Sequence, residues 1–113
     1  MHPIPRSLLI HKAVYAREAG AKRWSEAVLT DRQELQFVRI EPSEQIVRDK
    51  NSAEIQTAAT LFYDCRNSLP KEMEFAVDEI ILFNGQQYKV QSVEALYDEK
   101  RLHHYELELI KYA

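Results

Sequence analysis

Asn84-Gly85 is the feature that most constrains what this chain can fold into. The apolar run Ile80–Phe83 ends at it, and an alternating run starts at Tyr88. Asn-Gly between two such runs is the strongest short-range signal for a β-hairpin, because a type I′ turn needs positive φ at both central residues. The chain has only two glycines, so the placement of one of them here is informative. The long second arm is followed by a last run, His104–Lys111, in which Tyr105, Leu107 and Leu109 alternate with Glu106 and Glu108. One face is apolar and the other acidic, which predicts a wall of an antiparallel sheet or small barrel. Phe83, Tyr88, Val90, Val93, Tyr105, Leu107 and Leu109 are the expected core contributors from this region.

Changes of parity predict where that wall bends. Tyr88 and Val90 share one parity, whereas Val93, Ala95 and Tyr97 share the other. One extra residue near Gln91-Ser92 makes a bulge, and bulges let a sheet curl closed. The stretch Val28–Glu41 changes parity between Phe37 and Val38, which predicts a second bulge or a strand buried on both faces.

The rest of the chain reads as strands and connections. Residues 1–7 form an extended arm, because Pro3, Pro5 and the residues before them avoid helix. Leu8–Tyr15 is β-compatible. Residues 16–27 carry Gly20 amid helix-forming residues, and they read as a variable loop with at most one helical turn. Ser43–Ser52 is polar and reads as a loop or loose hairpin tip. Glu54–Cys65 becomes a strand towards its end. Arg66–Pro70 is a turn by composition, and Lys71–Val77 is a connector with room for a short helical turn. The predicted fold is mainly β: a small antiparallel β-barrel of about six strands with little helix, in a single domain over 1–113.

Composition excludes several function classes. The chain has 113 residues, 45% hydrophobic and 29% charged, with net charge −3. One modest core is affordable at that size, with a radius of gyration of roughly 13 Å. Mild acidity argues against a nucleic-acid binder, and the Lys and Arg residues are scattered rather than striped. No run approaches the roughly 18 apolar residues of a membrane span, and the N-terminus does not read as a secretion signal. The lone Cys65 cannot form an internal disulfide, which suits a reducing cytoplasm. It reads as a small, partly buried hydrophobe at a strand end rather than a nucleophile, since no partner base is nearby.

The sharper chemical readings are weak. His103-His104 invites a metal, but adjacent strand residues point to opposite faces, so both rarely reach one ion. Glu106 and Glu108 share a face without a cleft between them, unlike a glycosidase pair. Trp24, beside Lys22 and Arg23, can stack a base, contact a protein or cap the core. The expectation is therefore no enzyme, with no catalytic residue, metal or cofactor.

A resemblance adds the functional reading. The pattern from Ile80 to Tyr97, with Phe83-Asn84-Gly85, Tyr88, Val90 and Val93, closes with Leu102-His-His-Tyr-Glu-Leu107. With Ile4-Pro-Arg-Ser-Leu-Leu-Ile-His11, Val38–Pro42, Ile46–Lys50 and Ala59–Asn67, it resembles a family of small phage and prophage minor capsid proteins of head–tail connector regions. Tyr15–Ala27 has no counterpart in the resemblance. Such similarity implies a structural virion component, a head-completion or stopper-like ring docked between portal or adaptor and tail proteins. It implies a homo-oligomeric ring in the particle, DNA passing through without specific binding, no membrane, and assembly in the host bacterial cytoplasm. An isolated subunit can stay monomeric, because one ring contact can be small. Arg17, Lys22, Arg23 and Trp24 in the loop, with Ile4 and Pro5 in the arm, are the expected interface residues; for Trp24, interface and barrel cap stand side by side. The alternative class is a free-standing barrel that binds an oligonucleotide or small ligand.

Overall fold

The computed structural model describes residues 2–21 and 27–112. Its strands are β1 (His11–Ala21), β2 (Ala27–Pro42), β3 (Ile46–Arg48), β4 (Glu54–Gln56), β5 (Ala59–Asp64), β6 (Ile80–Phe83), β7 (Gln86–Tyr97) and β8 (Leu102–Lys111). Six of them close into an antiparallel ring in the order β1-β2-β5-β8-β7-β6, and β3 and β4 pair separately as a small hairpin. No helix occurs among the described residues, the connector 71–77 included.

The ring forms where the sequence alternates. In β5 the side chains of Ala59, Leu61 and Tyr63 turn inward, and in β8 those of Leu107 and Leu109 do so, all at most 4% exposed. They meet Leu35, Val38 and Ile40 of β2, Ile81 of β6 and Val90 of β7 in one core. Phe83, Tyr88, Val93 and Tyr105 pack against that core while keeping some solvent contact. Phe75, from the connector after β5, lies edge-on to Tyr15, Tyr63 and Tyr105 at 5.5, 5.2 and 5.3 Å between ring centres. Edge-to-face contacts of this kind add stability beyond the area they bury.

Turn and bulges fall where the residues direct them. Asn84 and Gly85 have φ of 50° and 73°, and Phe83 pairs with Gln86 across them, as a type I′ hairpin requires. The β7–β8 register slips between Val90 and Ser92, which turns the inward parity from Val90 to Val93. The β1–β2 register slips between His11 and Lys12, opposite Phe37, and Phe37 takes a φ of 53°. Each extra residue bends its strand, and the bends close the ring.

The structure corrects two local expectations. Residues 16–21 belong to β1 rather than to a loop: Ala16 is fully buried and pairs with Ile80, and Arg17 and Glu18 pair with Thr30 and Leu29. Tertiary pairing overrides the helical propensity of this Ala/Glu/Arg stretch. The first strand begins at His11, because residues 6–8 form a turn in which Leu8 N–H donates to the Pro5 carbonyl at 2.9 Å. Of the two readings of the segment after Pro42, the hairpin is the one found, held by Thr57, which is 3% exposed and whose Oγ1 accepts from Gln45 N–H at 3.0 Å. The N-terminal arm folds back onto the barrel, as described below. The radius of gyration, 14.4 Å, exceeds the compact expectation, with a longest dimension of 46 Å. The β1–β2 pairing that runs beyond β6 and the β3–β4 hairpin both extend outside the ring.

Candidate functional site

The expected interface residues separate in space. Ile4 is half-buried and tied to the barrel, and Pro5 beside it is exposed. The Ile4 N–H donates to Asp64 Oδ1 at 2.9 Å, and the Ile4 carbonyl accepts from Asn67 Nδ2 at 2.7 Å. Arg17 stands where β1 runs on beyond β6, 60% exposed, with its Nε 2.9 Å from Glu79 Oε2. Lys22, Arg23 and Trp24 lie outside the described residues, and so does the choice between interface and cap for Trp24.

Asp64 organises the arm's seat. It is fully buried, which for a carboxylate demands partners on every side. Besides Ile4, it accepts from the N–H groups of Arg66 and Asn67 at 3.0 and 2.8 Å. Its own N–H donates to Ser68 Oγ at 2.8 Å, and Ser68 in turn donates to the Phe37 carbonyl. The predicted turn 66–70 is thus built on one Asx-type network that also grips the arm.

The histidine pair departs from the expectation that strand alternation keeps the rings apart. His103 Nδ1 and His104 Nδ1 are 2.7 Å apart, with the rings edge-on. The cause is a bulge: β8 register slips between the pairs Leu96–His104 and Tyr97–Leu102, leaving His103 as the extra residue. The change of parity from Leu102 to Tyr105 is the sequence signal that points to it. The chain of contacts continues from His103 Nε2 to the His2 carbonyl at 2.6 Å and from His104 Nε2 to Glu106 Oε2 at 2.9 Å. A carbonyl accepts only, so His103 donates through Nε2, and the pair serves as a tether for the arm. Among the described residues, no group of three or more His, Cys, Asp or Glu side chains is placed to hold a metal ion.

The outer wall carries the acidic stripe. Glu106 faces Glu94 across β7 and Phe62 across β5, and Glu108 lies between Ser92 and Thr60. Like charges directly opposite each other, as Glu94 and Glu106 are, cost stability, and the His104 contact relieves part of that cost. The carboxylates lie on an open sheet face, with no cleft to make them an acid–base pair.

Cys65 and Tyr15 complete the inventory. Cys65 is half-buried just past the end of β5; burial and then the Asp64 carboxylate push its thiol up, away from the reactive thiolate. Tyr15 is 2% exposed and its hydroxyl makes no hydrogen bond. Burial, with the neighbouring Glu79 carboxylate, pushes its phenol up to about 12. A groove of about 1160 Å³ runs between the β3–β4 hairpin and the barrel, lined by Ile55, Thr57, Phe83, Tyr88 and Ile110 among others.

None of these groups forms a catalytic constellation. Comparison with known proteins supplies the class: a family model described as minor capsid protein matches residues 5–109. No curated protein matches the chain. The chain belongs to the minor capsid protein family, a family of structural virion components.

Proposed function

We propose that this minor capsid protein is a subunit of a closed ring at the junction of head and tail. The ring sits below the portal and its adaptor, narrows the DNA exit and offers the tail a docking surface. Family membership supports a virion role, and the shape of the subunit supports the ring. A ring of identical copies uses two different faces of one domain. A stiff barrel with projections on it supplies such faces, with Arg17, 60% exposed, at the base of one projection and Ile46, 70% exposed, on the other.

The observation that carries the channel-facing orientation is the outward stripe Glu94–Glu106–Glu108. Proteins hold DNA mainly through Lys and Arg on phosphates. A wall of carboxylates lets a duplex pass without sticking. The ligand-binding alternative is less well supported, because the barrel interior is filled by Leu35, Val38, Leu61, Val90, Leu107 and Leu109.

Particles assembled without this chain test the reading. Heads are expected to form and package DNA, yet to fail to join tails or to keep the DNA. Normal yields of tailed, filled particles would reject the junction role.

A further inference from the structure

The barrel holds the N-terminal arm by its main chain. Asp64 accepts from Ile4 N–H, Asn67 donates to the Ile4 carbonyl, and His103 reaches the His2 carbonyl. In each of these contacts a barrel side chain meets an arm backbone atom. Such a clamp recognises an extended strand, here stiffened by Pro3 and Pro5, and cannot distinguish the arm of its own chain from that of another copy.

The link between clamp and barrel is a single tight turn. Residues 6–8 make a turn closed by two hydrogen bonds, Leu8 N–H to the Pro5 carbonyl at 2.9 Å and Leu9 N–H to the Arg6 carbonyl at 3.1 Å. Leu9, 2% exposed, anchors the far side of the turn. Its neighbours Leu8 and Ile10 are 49% and 64% exposed, large apolar side chains that the chain itself leaves uncovered.

We propose that the arm exchanges between adjacent copies, with Ile4 of one copy seated between Asp64 and Asn67 of the next. Exchange reproduces the clamp contacts and gives up the two turn hydrogen bonds, with the turn's own contacts to β2, Arg6 over the Phe37 ring and Arg39 Nη1 on the Leu8 carbonyl, to be rebuilt at the crossing. It also places Leu8 and Ile10 at the crossing between subunits. Swapping an identical element is a low-cost route to assembly. Straightened, residues 2–8 reach roughly 23 Å at about 3.3 Å per residue, close to the subunit's narrowest dimension of 24 Å. Around a ring, each copy gives its arm to one side and accepts one from the other. The proposal rests on the ring reading for the placing of neighbours.

Purified protein tests it apart from any particle. Deleting Ser7 and Leu8 leaves the arm too short to turn back. Native mass spectrometry of this variant is expected to show dimers or larger closed species, and adding Asn67→Ala is expected to weaken their association at least tenfold. A shortened chain that folds and stays monomeric, or oligomers indifferent to Asn67→Ala, would overturn the exchange. Should the shortened chain not fold, full-length protein decides. Pro5→Cys chains and Arg66→Cys chains, both in a Cys65→Ser background, are refolded together at high concentration and treated with a short bismaleimide. A cross-linked heterodimer in excess of either homodimer supports exchange, and its absence refutes it. Tail joining enters neither readout, so a failed exchange and a failed junction role are separable.

Discussion

Replacing Asp64 with alanine is expected to release the arm and to destabilise the barrel by roughly 3–5 kcal/mol, since hydrogen bonds to a charged acceptor contribute about 1.5–3 kcal/mol each and buried orphaned donors add their own cost. Three backbone N–H groups, of Ile4, Arg66 and Asn67, lose their acceptor together. The site is fully buried, so water does not replace the carboxylate without opening the turn. Asp64→Asn keeps one carbonyl oxygen and is expected to lose about half as much. Thermal unfolding gives the magnitude. Trypsin gives the location, since cleavage after Arg6 is expected to speed up as the arm detaches. A melting temperature within a degree or two of the parent, with Arg6 still protected, would show that the network carries little stability.

Leu107→Ala is expected to cost about as much by a different route. The side chain is fully buried between Leu61 of β5 and Val93 of β7, in the middle of the ring. Truncating a buried leucine removes transfer free energy and leaves a cavity, together about 3–5 kcal/mol. For a domain of this size that lowers the melting temperature by roughly 10–20 °C. Glu108→Ala, one residue on and facing outward, is the control, expected to change stability by no more than about 0.5 kcal/mol. Equal melting temperatures for the two variants would contradict the inward and outward assignment of β8. The arm is expected to stay protected from trypsin in Leu107→Ala below its transition, which separates this variant from Asp64→Ala.

What the chain reveals by itself is whatever depends on near neighbours. Asn84-Gly85 and the alternation at Tyr105, Leu107 and Leu109 each declare a backbone geometry within a few residues. The parity changes at Phe37/Val38 and Gln91/Ser92 declare bulges in the same way, and all of these stand in the fold. Residues 16–21 are not legible, because their alanines, glutamate and arginine favour helix locally, while the strand is imposed by pairing with Thr30, Leu29 and Ala27 of β2 and, at Ala16, with Ile80 far along the chain. The arm's seat was hidden for the same reason: Ile4 and Asp64 are 60 residues apart, and neither residue type announces the other. Of the expected interface residues, Ile4 contacts Asp64 and Asn67 through its main chain, and Arg17 is exposed and paired with Glu79. The histidine pair departs from strict alternation because one bulged residue between Leu102 and His104 turns both rings to the same side.

The junction role is tested most directly by electron microscopy of intact particles, with the neck reconstructed at a resolution that separates small domains. The account predicts a ring of six-stranded barrels between portal and tail, each fitting this fold, with the face bearing Glu94, Glu106 and Glu108 turned towards the DNA channel. Barrels of this fold found only on the outer capsid shell, or a neck built without them, would contradict it.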